Sequence, residues 1–262
     1  MKYGFIGCGN MGGSIAKALS NSTKDILLAD FLSEKATALA GELGCKSGDN
    51  ETVVNTCDRI FLAVKPQVMA DVLAPLQPLF AEKKPLVITM AAGITLERIQ
   101  ELIGTPLPII RIMPNTPVAA GSGMVLYCHN DLVDKATLAD FLRDVIPCGQ
   151  WDLLAEELID AAGVVSGCGP AYMYMFMDAL AEGAAACGVP KEKALSYAAA
   201  TMIGAAKMVQ QDGRTPVELK NAVCSPGGST LAGVKALDDG QFTQTVLSCV
   251  KAAYKRNQEL GK

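Results

Sequence analysis

Along the first half of the chain, short apolar runs alternate with segments whose hydrophobic positions recur at helical spacing. Lys2 to Ile6, Asp25 to Ala29, Arg59 to Val64, Pro85 to Thr89, Pro108 to Ile112 and Gly123 to Cys128 read as strands. Met11 to Ser20, Ser33 to Leu43, Pro66 to Phe80 and Leu96 to Leu102 read as helices. The run from Ile60 to Val64 is unbroken in apolar residues, as a central parallel strand covered on both faces requires. Strands alternating with helices predict βαβ units and a doubly wound α/β sheet. Near Trp151 the pattern changes. From Leu153 on, Ala- and Met-rich helical runs are broken at Gly167 to Pro170, Gly188 to Pro190, Gly213 to Pro216 and Ser225 to Gly228, and no strand is expected. Residues 1–152 are therefore read as an α/β domain and 153–262 as an all-α domain. Ala184, Ala185, Ala186, Ala198, Ala199 and Ala200 let helices approach closely, on a surface suited to pairing two subunits.

Composition narrows the function. Half the residues are hydrophobic and 19% are charged, enough for a core and against disorder. A net charge of −4 supplies no basic face, so no nucleic-acid partner is expected. The most apolar stretch, Met173 to Val189, carries Asp178 and Glu182, which argues against a membrane span. The N-terminus runs directly into a glycine turn without the apolar core of a signal peptide, so a cytoplasmic protein is expected. The nine cysteines are scattered and form no Cys-x-x-Cys pair, which reads as reduced thiols. The single histidine, His129, lies in a polar stretch and is read as a surface residue. Neither a Ser-His-Asp triad nor a histidine-based metal site is expected, and no metal is assigned.

Gly7-Cys8-Gly9-Asn10-Met11-Gly12 is a G-x-G-x-x-G that follows the first strand and opens the first helix. The first glycine permits the turn, the second lets backbone amides approach a pyrophosphate, and the third lets helix and strand pack. This is the dinucleotide loop of a Rossmann-type domain, and the helix start adds partial positive charge. Asp30 ends the second strand, where an acid binds the ribose 2′-OH and favours NADH; it equally suits a cap for the next helix. Ser33 and Lys35, close behind, suit a 2′-phosphate instead. Ala63-Val64-Lys65-Pro66 belongs at the crevice beside the first strand, with Lys65 either contacting cofactor or solvated. Ala92, in Met90-Ala91-Ala92-Gly93, and Asn115, in Met113-Pro114-Asn115-Thr116-Pro117, follow strands and leave room for a ring.

In the helical half, Val223-Cys224-Ser225-Pro226-Gly227-Gly228-Ser229-Thr230 stops one helix and starts another. The amides of Gly228, Ser229 and Thr230, with two hydroxyls, converge on a small anion site suited to a carboxylate. The plainer alternative is that Ser229 caps its own helix.

Taken together, these segments make the chain resemble the Δ1-pyrroline-5-carboxylate reductases essentially from end to end. The resemblance is carried by Phe5 to Gly12, Ala63 to Pro66, Ala91 to Gly93, Arg111 to Pro117, Ser166 to Tyr172 and Ser225 to Thr230. It implies reduction of the cyclic imine pyrroline-5-carboxylate to L-proline by NADPH, with NADH also possible, in homo-oligomers built from dimers of the helical domain. The family more often has a small polar residue where Asp30 stands. A protonated imine already accepts hydride, so positioning replaces a strong acid. Thr230 is then expected to meet the ring nitrogen. Two alternatives remain in view: a β-hydroxyacid dehydrogenase and a dinucleotide sensor without turnover. The first needs a lysine early in the helical domain, yet no Lys or Arg stands between Arg143 and Lys191.

Overall fold

The structure is a computed structural model describing residues 2–260. Strand β1 (Tyr3–Ile6) passes through the glycine loop into α1 (Asn10–Leu19). Next come β2 (Ile26–Ala29), α2 (Ser33–Leu43), β3 (Lys46–Ser47), α3 (Asn50–Thr56) and β4 (Arg59–Leu62). The stretch expected as one helix from Pro66 to Phe80 is broken into a 3-10 turn (Pro66–Val68), α4 (Met69–Leu73), a second 3-10 turn (Ala74–Leu76) and α5 (Gln77–Lys83). Pro75 and Pro78 are the cause, since each lacks an N–H and crowds the preceding turn. Then follow β5 (Leu86–Thr89), α6 (Leu96–Ile103), β6 (Ile109–Met113), β7 (Gly123–His129), α7 (Lys135–Asp144), β8 (Gly149–Leu153) and α8 (Glu156–Ser166). Helices α9 (Gly169–Ala186), α10 (Lys191–Gln211), α11 (Pro216–Ala222), α12 (Ser229–Asp239) and α13 (Phe242–Leu260) complete the chain.

Among the described residues the strands form one eight-stranded sheet in the order β3-β2-β1-β4-β5-β6-β7-β8. All pairs are parallel except β6 with β7. Residues 114–122, which join those two, hold only a 3-10 turn (Thr116–Ala120), too little chain for a parallel crossover. Side chains alternate to two cores. Phe5 and Phe61 stack at 4.5 Å on one face, while Ile60, Leu62 and Phe80 are buried on the other.

The α/β fold with helical C-terminal residues is as expected, but four elements were not anticipated. β3 is a two-residue edge, too short to leave a pattern. Helices α3 and α7 are signalled only by their caps: Asp49 accepts from the Thr52 amide (2.7 Å) and Asp134 from the Thr137 amide (2.8 Å). β8 is an edge strand extending through Leu153, so strands continue past the change near Trp151. His129, expected at the surface, closes β7 half-buried, its Nδ1 2.9 Å from the Asn130 carbonyl.

Two compact units result: one runs to Pro170 and resumes at Ala253, and the other is Ala171–Ala252. The boundary expected at 152/153 therefore falls inside the first unit. β8 and α8 stay with the first unit because β8 pairs with β7 and Arg111 of β6 binds two acids on α8. The second unit consists of helices, and many of its apolar side chains, among them Met175, Tyr197, Ile203, Val217 and Val223, are exposed.

Candidate functional site

The glycine loop is shaped by contacts that leave no room for side chains at two of its three glycines. Gly7 has φ +104°, and a Cβ there would lie 2.6 Å from the Ala63 carbonyl oxygen. A Cβ on Gly12 would lie 2.4 Å from the Gly7 carbonyl oxygen and 2.8 Å from the Ala63 Cβ. Gly9 differs. It has ordinary φ and ψ of −66° and −173°, and among the described residues nothing lies within 4 Å of a Cβ placed there. Open space therefore faces the start of α1, whose first amides, those of Asn10, Met11 and Gly12, meet no acceptor among the described residues.

Asp30 joins this loop. One carboxylate oxygen accepts from the Cys8 amide at 2.7 Å and the other from the Leu32 amide at 3.1 Å. Neither sequence reading anticipated this: the carboxylate braces the loop, and the first residue position flanking α2 is taken by Leu32, with no side-chain cap. The Cys8 amide is thus not free for phosphate. Each oxygen of Asp30 keeps a second lone pair for a ribose hydroxyl. Burial and then the Asp30 charge push the Cys8 thiol up to about 12, and the charge of Lys35 opposes them.

Ala63 and Val64 line the loop, as the close approaches to Gly7 show; a Cβ on Gly7 would lie 3.1 Å from Val64 Cγ1. Lys65 is exposed, at the foot of the 3-10 turn that starts with half-buried Pro66. Ala92 is half-buried before Gly93, whose φ is +73°. Asn115 is buried and engaged at both ends: its Nδ2 donates to the Ser166 carbonyl (2.9 Å) and its Oδ1 accepts from the Met124 amide (3.0 Å). These two bonds fix the Met113-to-Pro117 segment.

Arg111, for which the sequence suggests no role, is fully buried in β6. Its guanidinium reaches Glu156 (3.1 Å) and Asp160 (2.8 Å), one helical turn apart on α8. Glu156 also accepts from the Leu96 amide (2.7 Å) and so ties α6 to the same point. An arginine inside an apolar strand was the available signal, because a buried guanidinium demands acidic partners.

In the second unit, Gly227 has φ +73° and turns the chain into α12. The cap is Gly228 and no side chain caps the helix, so Ser229 is the first helical residue rather than its own cap. The Gly228 amide donates to the Ser225 carbonyl (3.0 Å), so it leaves the expected carboxylate set. The amides of Ser229, Thr230 and Leu231 meet no acceptor among the described residues, and Ser229 and Thr230 are exposed. An open cavity of about 510 Å³ runs from Gly227 and Gly228 along Leu231 and Lys235.

Open space over Gly9, before an uncapped helix at the carboxyl edge of a parallel sheet, is where a pyrophosphate fits, and the first unit is accordingly a dinucleotide-binding oxidoreductase domain. Residues 2–93 match the family described as "NADP oxidoreductase coenzyme F420-dependent", and residues 156–260 match "Pyrroline-5-carboxylate reductase dimerisation". The pyrroline-5-carboxylate reductase of Escherichia coli is 36% identical over 266 residues, covering 100% of this chain and 98% of the relative. The crystal structure of Plasmodium falciparum pyrroline carboxylate reductase with NADP bound superposes with a TM-score of 0.90 at 29% identity, covering 100% of this chain and 98% of that one. The Streptococcus pyogenes enzyme gives 0.91 at 30% identity, with 99% and 98% covered. The chain belongs to the pyrroline-5-carboxylate reductase family and is an NAD(P)H-dependent oxidoreductase.

Proposed function

We propose that this chain transfers a hydride to C5 of Δ1-pyrroline-5-carboxylate and releases L-proline, the closing step of proline biosynthesis. The observation that supports the substrate is the start of α12, where three backbone donors stand without acceptors beside two exposed hydroxyls. In this reading the Ser229 and Thr230 amides hold the carboxylate, and the Thr230 hydroxyl orients the ring nitrogen. When bound, the reduced nicotinamide supplies the hydride. The glycine loop takes the pyrophosphate over Gly9, Asp30 and Lys35 meet the adenosine ribose, and Ala63, Val64, Lys65, Pro66 and Ala92 line the crevice. Protonated at nitrogen, the imine is already an electrophile, so the residues bind and orient and need not supply a strong acid.

The exposed apolar side chains of the second unit, together with the dimerisation family matched by residues 156–260, support a homodimer through these helices. Nine cysteines without a disulfide support a reducing compartment, the cytoplasm. The test is NADPH oxidation by the purified protein on adding pyrroline-5-carboxylate. Imine-dependent oxidation with proline as product supports the reading, and intact cofactor binding without oxidation contradicts it.

A further inference from the structure

Phe31 follows the brace residue Asp30 and is 100% exposed, whereas Phe5, Phe61, Phe80 and Phe141 are fully buried. Its place is defined. The Asp30 carboxylate bonds the Cys8 amide inside the glycine loop and the Leu32 amide on the far side of Phe31. The Lys35 amide in turn donates to the Leu32 carbonyl (2.9 Å). The backbone that carries the ring is therefore tied at both ends, at the edge of the loop, beyond the carboxyl end of β2. In a sheet of this order that is the adenosine end of a bound dinucleotide, because the acid closing the second strand faces the adenosine ribose.

We propose that Phe31 is the stacking platform for the adenine ring. This rests on the dinucleotide reading of the glycine loop and adds a residue that the loop motif does not contain. Every base presents a π-face, so an aromatic side chain binds adenine without hydrogen-bond matching. A ring carried on a braced backbone loses little freedom when the base arrives. Adenine is common to NADH and NADPH, so the platform contributes equally to both, and selection between them is left to Asp30 and Lys35.

Calorimetry on the full chain separates this role from its rivals, with three probes: NADPH, ADP-ribose, which has adenine but no nicotinamide, and reduced nicotinamide mononucleotide, which has no adenine. Phe31→Ala is expected to weaken NADPH and ADP-ribose by about 5- to 150-fold, the range for one stacked base. Phe31→Trp is expected to retain or tighten both, and the mononucleotide Kd should not change in either variant. Equal ADP-ribose affinity in natural and Phe31→Ala protein overturns the platform while leaving the dinucleotide site intact. A Phe31→Ala protein that keeps its affinity but dissociates into monomers more readily also overturns it, assigning the ring to a second copy of the chain. Failure of the natural protein to bind either NADPH or ADP-ribose overturns the dinucleotide reading itself.

Discussion

Gly9→Ala separates what the glycine loop does for the fold from what it does for the cofactor. The backbone there is in a region open to alanine, and beyond Gly9 and its two chain neighbours no atom among the described residues stands within 4 Å of the added methyl group. Stability should therefore hold or rise by about 0.4–1 kcal/mol, because the unfolded chain loses freedom. The methyl group stands before the free amides of α1, in the space a pyrophosphate needs. A tenfold or larger rise in the NADPH Kd, about 1.4 kcal/mol, is the least expected. Gly7→Ala and Gly12→Ala are the controls: their methyl groups would come within 2.6 Å and 2.4 Å of backbone oxygens, so both should lower Tm as well as binding. Thermal melts and calorimetry on the three variants complete the test. A Gly9→Ala protein with natural Tm and natural NADPH affinity would refute the assignment of the space over Gly9.

Asp30→Ser should raise kcat/KM for NADPH relative to NADH, because it removes a carboxylate from the ribose end while Lys35 remains; an unchanged ratio would confine Asp30 to bracing Cys8 and Leu32. Thr230→Val keeps the β-branched shape at the start of α12 and removes one hydroxyl. With bonds to charged groups worth about 1.5–3 kcal/mol, kcat/KM for the imine should fall roughly 10- to 150-fold, while the NADPH Kd stays unchanged. Activity within threefold of natural would make Thr230 a helix-start residue only. Burial acts against the charged form of Asp144, yet hydrogen bonds from Lys2 and Tyr3 and the charges of Lys2 and Arg59 hold its carboxyl below the usual aspartate range. A depressed folded pKa contributes stability above the ordinary aspartate value and loses it as pH falls through the folded one. Asp144→Asn should thus cost about 1.5–3 kcal/mol at pH 7, and the gap in denaturant melts should close on acidification below about pH 4. A gap independent of pH would contradict that account.

The α/β half was legible because its signals are local: largely apolar runs for β1, β2, β4 and β5, and glycines placed where the chain must turn. What escaped depends on distant partners or on sheet edges. β8 alternates polar and apolar residues at an edge and looks like loop until β7 is beside it. The pairing of Arg111 with Glu156 and Asp160 spans 45 and 49 residues, and no periodicity reports it. Asp30 and Gly228 were picked out by type and position, but the bonds to Cys8 and Ser225 decide which amides stay free. Asn115 was placed near the cofactor because it follows a strand, and only the tertiary structure shows its side chain occupied by Ser166 and Met124.

The most direct measurement follows the hydride itself. The protein is incubated with pyrroline-5-carboxylate and NADPH carrying deuterium at the transferable position of C4, and the product is examined by mass spectrometry and NMR. The account predicts L-proline with a single deuterium at C5. Proline without deuterium, or oxidation of the cofactor with no proline formed, would contradict it.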